Sequence, residues 1–360
     1  MTQSQKEEKV LMKAQIAKMT EDQLDIPALD KAGSILKAGG LVAFPTETVY
    51  GLGGNALDPA ASKKIYAAKG RPSDNPLIVH IADMEHLDKI VRKVPQKARL
   101  LAKQYWPGPL TMIFSKADCV PFETTGGLDS VAVRMPVNKI AGELIRRSGG
   151  YIAAPSANTS GRPSPTLASH VIDDLSDTID MIIDGGMTDI GLESTIVDFT
   201  VGVPTILRPG YINRKMLVDV LGEVLVDPGI LSPNSRVRPK APGMRYKHYA
   251  PKGDLTIIKG SEGKVADKIN MLAARCLEDG KKVGVICTEE TKKRYQVGDI
   301  KCIGTLASED TIAMHLYQIL REFDDDCVEY IYSEAFDTPR MGQAIMNRLL
   351  KAAGHKMIEV

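Results

Sequence analysis

Two cations in one short segment, Lys69-Gly70-Arg71-Pro72, are the strongest chemical signal in the sequence. Pro72 disfavours a helical conformation for Arg71, and residues two apart in an extended segment share a face. Lys69 and Arg71 are therefore predicted to point toward one target. Because neighbouring positive charges repel, an anion between them would stabilise the pair, with Arg offering a planar fork and Lys a point charge. The alternative is a solvated basic turn.

Residues 45–53, PTETVYGLG, form a second candidate binding segment. A strand predicted at residues 41–44 is broken by Pro45, and a glycine-rich loop with Thr46, Thr48 and a carboxylate follows. Loops at strand ends often place ligand groups. The alternative is that the two threonines only cap or shape a turn.

A third candidate segment, residues 154–164, also follows a predicted strand and is dense in small hydroxyl and amide groups, including Ser156 and Asn158. It leads into a predicted helix that Ser164 or Thr166 would cap. Helix starts and exposed backbone N–H groups attract phosphate. An ordinary polar loop with a helix cap is the alternative.

Two arginines end short apolar strands, Arg134 after residues 131–133 and Arg208 after residues 205–207. A cation beside a core is costly unless it is paired. Each position therefore predicts either a buried ion pair or an anionic ligand. His80, three residues after Leu77 at another strand end, is either part of the same site or a histidine at the edge of the core.

The sequence lacks several common cofactor and nucleophile signatures. Residues 51–56 fit G-x-G-x-x-[GA], but they are separated from the preceding strand and no acid for a ribose follows, so we interpret the match as accidental. There is no Walker A motif, and the 5 cysteines form no C-x-x-C and no Cys/His cluster, so no metal site is predicted. The remaining basic side chains and hydroxyl-rich loops suit catalysis by positioning and charge neutralisation, as in phosphoryl and nucleotidyl transfer.

Length and composition favour a two-domain soluble protein. The chain has 360 residues, 43% hydrophobic and 25% charged, and domains usually have roughly 100–200 residues. The net charge of +1 gives no global attraction to nucleic acid or membrane. No apolar run is long enough to span a bilayer, and the charged first residues do not resemble a signal peptide. A cytoplasmic location is expected.

Hydrophobic patterning predicts an α/β fold: a twisted mixed sheet with helices, joined by a proline-rich basic linker to a small Rossmann-like parallel α/β domain. The predicted divisions are an N-terminal extension at 1–25, a catalytic domain at 26–215, a linker or lid at 216–253 and a C-terminal domain at 254–360. Strands are predicted at 41–44, 77–81, 110–114, 130–134, 151–154, 181–184, 194–199 and 205–207, and helices at 28–38, 59–68, 83–104, 138–148 and 166–176.

The linker has a distinctive composition. Residues 228–253 contain five prolines, six Lys or Arg and no Asp or Glu. Proline-rich segments act as semi-rigid connectors, and a purely basic one is predicted to do more than tether. After it, strands at 255–259, 282–287, 301–306 and 328–332 alternate with helices at 262–279, 309–323 and 340–353.

Taken together, these segments resemble the threonylcarbamoyl-AMP synthase family in its long two-domain form, with a YrdC-like domain first. The matching pieces occur in one order: PTETVYGLG, KGRPSDNPLIVH, WPGPLT, SVAVRMP, APSANTSGRPSPT, LESTIVD and RPGYI, followed in the linker by APGMRYKHYAP. They cover most of residues 28–251. The C-terminal domain resembles the family by its position in the chain and by its alternation of strands and helices.

The resemblance implies an ATP-dependent nucleotidyltransferase reaction. L-threonine and bicarbonate would form a carbamate that attacks the α-phosphate of ATP, giving threonylcarbamoyl-AMP and pyrophosphate. A partner enzyme would then transfer the threonylcarbamoyl group to tRNA position 37, with at most a weak RNA contact by this chain. Mg²⁺ is expected, held mainly by phosphates and water because the motifs are poor in carboxylates.

The resemblance also implies roles for individual residues. The L-threonine positions would be Thr48, His80, Arg134, Ala154 (through its backbone) and Ser194. The ATP positions would be Arg71, Asn75, Ser130, Ser156, Asn158, Ser164, Arg208 and, folding over from the linker as a lid, Tyr249. Lys69 would join Arg71 as a catalytic residue by neutralising phosphate or bicarbonate.

Two alternative functions are less consistent with the sequence. A carbamoyl-adenylate domain of the hydrogenase-maturation carbamoyltransferases would carry zinc-finger segments, and the C-x-x-C pairs that fingers need are missing. A non-enzymatic RNA-binding or ribosome-assembly factor would use the basic linker, although the net charge of +1 disfavours it.

Overall fold

The first half of the chain forms one large mixed sheet. A computed structural model describes residues 13–230 and 249–360. The strands of this sheet are β1 (Gln15–Lys18), β2 (Val42–Phe44), β3 (Gly51–Asn55), β4 (Ile78–His80), β5 (Leu110–Ser115), β6 (Ser130–Arg134), β7 (Ile152–Ala153), β8 (Met181–Asp184), β9 (Thr195–Asp198), β10 (Thr205–Arg208) and β11 (Leu225–Val226). Their spatial order is β1-β8-β2-β3-β7-β4-β6-β5-β9-β10-β11, with parallel and antiparallel neighbours mixed. The predicted mixed sheet is confirmed.

Helices cover this sheet and largely follow the sequence pattern. They are α1 (Ile26–Lys37), α2 (Pro59–Lys69), α3 (Met84–Ile90), α4 (Gln96–Tyr105), α5 (Lys139–Arg147), α6 (Ala168–Leu175) and α7 (Arg214–Leu221). The single helix predicted at 83–104 was wrong. It is two helices, because α3 ends at an extended Val91 and α4 begins after Pro95, whose backbone is also extended.

The glycines after Tyr50 form a strand, not the loop that the sequence predicted. β3 pairs antiparallel with both β2 and β7. At Gly53 a Cβ atom would lie 2.8 Å from Ile152 Cγ2 and 3.0 Å from Phe44 Cε1. The glycines therefore allow close packing inside the sheet, and their resemblance to a dinucleotide fingerprint is accidental, as expected.

The first domain includes residues on both sides of the predicted range 26–215. In the predicted N-terminal extension, β1 adds to the sheet by pairing with β8. In the predicted linker, β11 pairs with β10, and Leu217, Leu221 and Val224 pack in the same core as the first-domain strands. The described part of the segment 216–230 is therefore integrated into the first domain. The rest of the predicted lid up to residue 248, with Arg245 and Lys247, lies outside the described residues.

The C-terminal domain is a parallel α/β unit, as predicted. Its elements are β12 (Asp254–Lys259), α8 (Glu262–Glu278), β13 (Val283–Cys287), β14 (Asp299–Cys302), α9 (Glu309–Asp325), β15 (Tyr330–Glu334), α10 (Gly342–Ala352) and β16 (Met357–Glu359). The strand order is β14-β13-β15-β12-β16, and every pairing is parallel. Among the described helices of both domains, none is long and apolar enough to cross a membrane.

Candidate functional site: an arginine-lined cavity

The register of four neighbouring strands gathers three of the predicted L-threonine-binding residues at one edge of the large sheet. β4 and β6 are parallel, and His80 pairs with Arg134 at their ends. β5 is antiparallel to β6, so Thr111 near its start lies opposite Arg134. β9 runs parallel to β5, which brings Ser194, just before β9, to the same edge. Residues far apart in the sequence therefore meet at one edge.

A cavity opens at this edge and includes nine of the fourteen predicted site residues. It is lined by Thr46, Thr48, Val49, Tyr50, Gly51, Arg71, Ile78, His80, Arg134, Ala154, Pro155, Ser156, Glu193, Ser194, Arg208 and Tyr249. Lys69, Asn75, Ser130, Asn158 and Ser164 are not on its surface. Three arginines on one small cavity make it suited to an anionic ligand.

Arg134 forms one of the two alternatives that the sequence left open, the buried ion pair. Its Nη2 atom lies 2.8 Å from Glu47 Oε1, and both side chains are about 95% buried. The N–H groups do not aim at the carboxylate, however, because Arg134 Nε and Nη2 and both Glu47 oxygens have no partner with hydrogen-bond geometry. Arg134 is thus charge-paired, while its Nε and Nη2 atoms have no hydrogen-bond acceptor in the described structure.

His80 is a neutral imidazole beside this arginine. Its Nδ1 atom lies 3.1 Å from the Ile78 carbonyl oxygen, and its ring meets Phe44 edge-on. Burial, reinforced by the positive charge of Arg134, lowers the pKa of His80 to about 3. A neutral ring adds polar contact to the site without adding a fourth positive charge.

Arg71 faces the cavity, but the predicted geometry of the Lys69–Arg71 pair was wrong. α2 continues through Lys69, and Gly70 ends it in the left-handed region with φ +60°. Lys69 is therefore helical, and the two residues do not share one extended segment. Arg71 donates from Nε to the Asn75 carbonyl oxygen (3.2 Å) and from Nη2 to the Pro76 carbonyl oxygen (3.1 Å). Burial, together with the nearby Arg208, lowers its pKa to about 10.

Lys69 lies behind the cavity wall. Its side chain is 1% exposed, and its ammonium donates to the carbonyl oxygens of Ser156 and Asn158. Burial, and then the charge of Arg71, lowers its pKa well below the usual range. Within residues 13–230 and 249–360, neither Lys69 nor Arg71 forms an ion pair with a carboxylate. The hydrogen bonds of both side chains in that part of the chain go to neutral oxygens.

Arg208 and Ser194 form one hydrogen-bonded unit on the opposite wall. Arg208 donates from Nε to the Ser194 carbonyl oxygen (3.0 Å) and from Nη2 to Ser194 Oγ (3.1 Å). Ser194 Oγ lies 2.7 Å from Thr111 Oγ1, so its hydroxyl is fixed from two sides. Sequence reasoning missed Thr111, which carries no signal of its own in an apolar strand.

The segment 154–164 lines the cavity with its first three residues, and hydrogen bonds hold the residues that follow. Ser156 Oγ donates to Asn158 Oδ1 at 2.6 Å, and Asn158 Nδ2 donates to the carbonyl oxygens of Thr159 and Arg162. Neither predicted residue caps the following helix. The cap position of α6 is Leu167, which makes no side-chain cap bond, and Ser164 Oγ instead donates to Glu193 Oε1 at 2.6 Å.

Asn75 and Ser130 are placed away from the cavity surface. Asn75 is buried, and its Oδ1 atom has no hydrogen-bond partner in the described structure. Ser130 begins β6 and pairs with Ser115, at the opposite edge from Arg134. Four residues of strand span about 13 Å, so Ser130 would contact only a part of a ligand remote from Arg134.

The C-terminal domain packs against two residues that line the cavity. Tyr249, at φ +65°, lines the cavity and stacks on Tyr317 of α9 with ring centroids 5.2 Å apart. Glu193 also lines the cavity and accepts hydrogen bonds from Tyr317 and from Arg348 of α10. Sequence reasoning missed Glu193, Tyr317 and Arg348, because only the packing of the two domains brings them together.

Comparison with known proteins covers both halves of the chain. A family described as "Telomere recombination", which groups Sua5, YciO and YrdC, matches residues 34–210. A second, described as "Threonylcarbamoyl-AMP synthase, C-terminal domain", matches residues 212–354.

Full-length relatives show the same two-domain arrangement. The threonylcarbamoyl-AMP synthase of Pyrococcus abyssi is 47% identical over 329 residues, which is 91% of this chain and 95% of that protein. The enzyme of that name from Bacillus subtilis is 47% identical over 92% of this chain and 94% of its own length. The crystal structure of P. abyssi Sua5 complexed with L-threonine superposes with a TM-score of 0.90 at 44% identity, covering 96% of this chain and 99% of that one. The chain therefore belongs to the threonylcarbamoyl-AMP synthase family, in its two-domain form.

Proposed function

We propose that this chain makes threonylcarbamoyl-AMP and pyrophosphate from L-threonine, bicarbonate and ATP. The observation that carries the proposal is the convergence of Arg71, Arg134 and Arg208 on one cavity, in a chain 47% identical to threonylcarbamoyl-AMP synthases over most of its length. An amino-acid carboxylate and a polyphosphate are the two anions of that reaction, and this cavity offers cations for both.

L-threonine is proposed to bind at the strand edge formed by His80, Arg134 and Ser194. Arg134 would receive its carboxylate through the donors that Glu47 leaves unused. Thr48 and the Ala154 backbone would complete the contacts, and the apolar lining at Ile78 and Ala154 could receive the methyl group. This arrangement leaves the amine directed into the cavity, where bicarbonate would react with it.

ATP is proposed to occupy the part of the cavity between Arg71 and Arg208. The two guanidinium groups would neutralise phosphate as the carbamate oxygen attacks the α-phosphorus and pyrophosphate leaves. Ser156, Asn158 and Ser164 would fix the wall beside the nucleotide. Asn75, Ser130 and Tyr249 remain proposed nucleotide contacts, Asn75 through an unpartnered buried oxygen.

Lys69 is proposed to act mainly by holding the Ser156–Asn158 backbone, since its ammonium already contacts both carbonyl oxygens. Its positive charge would still lower the electrostatic energy of a nearby phosphate or of bicarbonate. Mg²⁺ would be held by phosphate and water, because the described residues contain no His, Cys, Asp and Glu group able to hold a metal ion. When bound with the nucleotide, Mg²⁺ would screen phosphate charge.

The product is a mixed anhydride and needs an acceptor. We propose that a separate threonylcarbamoyl-transferring enzyme passes its acyl group to adenosine 37 of tRNA, and that this chain itself makes at most a weak RNA contact. Such a role places the protein in the cytoplasm, with tRNA synthesis and use.

The direct test is pyrophosphate release by the purified full chain with ATP and Mg²⁺, adding threonine and bicarbonate singly and together. Release is expected only when both are present. Release at the ATP-only level in every mixture, from folded protein, would refute the proposed function.

A further inference from the structure

A buried ion pair joins the C-terminal domain to the wall of the catalytic cavity. Arg348 of α10 is 0% exposed and donates from Nε to Glu193 Oε2 at 2.8 Å and from Nη2 to the Glu193 carbonyl oxygen at 3.3 Å. Its Nη1 atom donates to Asn347 Oδ1 at 3.0 Å. The guanidinium is therefore fixed from three sides.

The Glu193 carboxylate is fully engaged by groups from both domains. Besides Arg348, Ser164 Oγ donates to Oε1 at 2.6 Å, and the Tyr317 hydroxyl donates to Oε2 at 2.9 Å. Ser164 belongs to the segment proposed to hold ATP. The orientation of that segment thus depends on a carboxylate whose position is set by α9 and α10.

The same arginine also covers the aromatic wall of the cavity. The Arg348 guanidinium carbon lies 5.8 Å from the centre of the Tyr249 ring, and the Tyr317 ring stacks on Tyr249 at an interplanar angle of 29°. Arg348 and Tyr317 thus contact both Glu193 and Tyr249, the two residues that bring the C-terminal domain to the cavity.

Glu193 is an unexpected charge beside a nucleotide site, because a carboxylate repels phosphate. Burial alone would raise its pKa, but Arg348 and then Arg208 outweigh burial and bring it to about 2. Glu193 is therefore ionised, and the positive charges of Arg348 and Arg208 compensate its negative charge. The titratable and charged groups around it are Arg348 and Lys351 of α10, Tyr317 of α9, Arg208 of β10 and Tyr249.

We propose that Arg348 is a positioning residue for ATP binding: it neutralises and orients Glu193, so that Glu193 holds Ser164 without repelling the nucleotide. The C-terminal domain is then an integral part of the active site and not only an attached module. This inference rests on the proposed function.

Three variants of the full chain test it: Arg348→Met, Arg348→Lys and the double variant Arg348→Met with Glu193→Gln. In Arg348→Met, the KM for ATP is expected to rise on the order of ten- to a hundredfold, with a smaller change in kcat, because a buried partner loses its counter-charge. Arg348→Lys keeps the charge without the fork, so its KM should lie between those of the parent and Arg348→Met. The double variant, with no carboxylate left, should recover most of the lost ATP affinity.

The pH dependence separates this role from a merely structural one. In Arg348→Met, Glu193 loses its main neutralising charge, so the KM for ATP should increase as pH rises and Glu193 ionises. The double variant should lose this rise. Lys351, whose pKa burial and the adjacent Arg348 lower to about 7 in the parent, also titrates near Glu193. A rise in KM that the double variant keeps in full would therefore assign the pH dependence to another group and contradict the proposal. Arg294→Met, which removes an exposed Arg–Glu pair of the same domain, is the matched control and should leave the KM for ATP unchanged.

A second readout does not depend on turnover. The rise in melting temperature on adding ATP with Mg²⁺ should shrink in Arg348→Met and return in the double variant. If Arg348 only joins the domains, Arg348→Met will unfold at lower temperature but keep the parent KM and ATP-induced shift, which would overturn the proposal.

If Arg348→Met does not fold, the same comparison with Arg348→Lys decides the matter. An inactive parent that still shows these ATP shifts would refute the proposed reaction but not the role of Arg348.

Discussion

Replacing Arg71 with alanine should separate ligand binding from folding stability. In the ligand-free protein Arg71 satisfies two buried carbonyl oxygens, those of Asn75 and Pro76. Leaving two buried acceptors without a donor costs about 2–6 kcal/mol in total. Yet the guanidinium itself is unfavourable there, since burial and Arg208 lower its pKa from 12.5 to about 10. That shift corresponds to roughly 3 kcal/mol of relief when the charge is removed.

The two effects on stability oppose each other, so Arg71→Ala is expected to change the free energy of unfolding without ligands by at most about 3 kcal/mol. Catalysis has no such compensation. Losing one charged donor to the reacting phosphate should remove about 2–4 kcal/mol of transition-state stabilisation, or roughly 30- to 1000-fold in kcat/KM for ATP. Arg71→Lys keeps the charge but not the fork and should fall between the parent and Arg71→Ala.

The assay pairs steady-state pyrophosphate release with thermal unfolding, each measured with and without ATP and Mg²⁺. Parent-like kcat/KM in Arg71→Ala would remove this residue from the site. A loss of several kcal/mol of stability, with an unchanged ATP-induced rise in melting temperature, would instead show that Arg71 serves only to shape residues 71–76.

Three further predictions follow from the same cavity. Threonine should be preferred over serine by roughly ten- to two-hundred-fold in kcat/KM, because one methyl in an apolar pocket is worth about 1–3 kcal/mol; a ratio near unity would show that the pocket does not sense the methyl. His80, with its pKa lowered to about 3 from 6.5, gives stability that is complete above pH 6.5 and is lost as pH falls toward 3. Between these pH values, His80 lowers the free energy of unfolding by up to about 1.4 kcal/mol for each pH unit of acidification. Urea unfolding of His80→Asn should therefore show a smaller loss of stability at acid pH than the parent. Glu47→Gln should lower the melting temperature by removing the counter-charge of Arg134, and added threonine should raise it more than in the parent, since its carboxylate restores that charge; an equal rise in both proteins would contradict the placement of threonine at Arg134.

The predicted strand pattern placed several site residues at strand ends, but the strand pairing that brings them together is seen only in the structure. Arg134, His80 and Ser194 each end or precede a short apolar strand, and strand pairing then brings them to one edge. The prediction of a cation-rich site without nucleophile or metal ligands followed from residue types alone. For Arg134, the two alternatives left open, an ion pair or an anionic ligand, are compatible in the structure, because the pair with Glu47 leaves donors unused.

What could not be predicted depends on contacts distant in sequence. The position of Lys69 follows from the helix end at Gly70 and from carbonyl oxygens 87 and 89 residues away. A run such as GLGGN is depleted in strand-forming residues, so only its neighbours β2 and β7 explain why it is extended. The pair between Glu193 and Arg348 spans 155 residues and two domains, and each residue alone has the sequence context of an ordinary surface charge.

The most direct test of the proposed reaction follows the carbon atom of bicarbonate into the product. The parent protein is incubated with ATP, Mg²⁺, L-threonine and ¹³C-bicarbonate. The nucleotide products are then separated, and their masses are measured by mass spectrometry. The expected product is an adenylate that carries both threonine and one labelled carbon, forms in equal amount to pyrophosphate and is strongly reduced in Arg71→Ala. An adenylate of threonine without the labelled carbon, or pyrophosphate released without any threonine-containing adenylate, would contradict the proposed reaction.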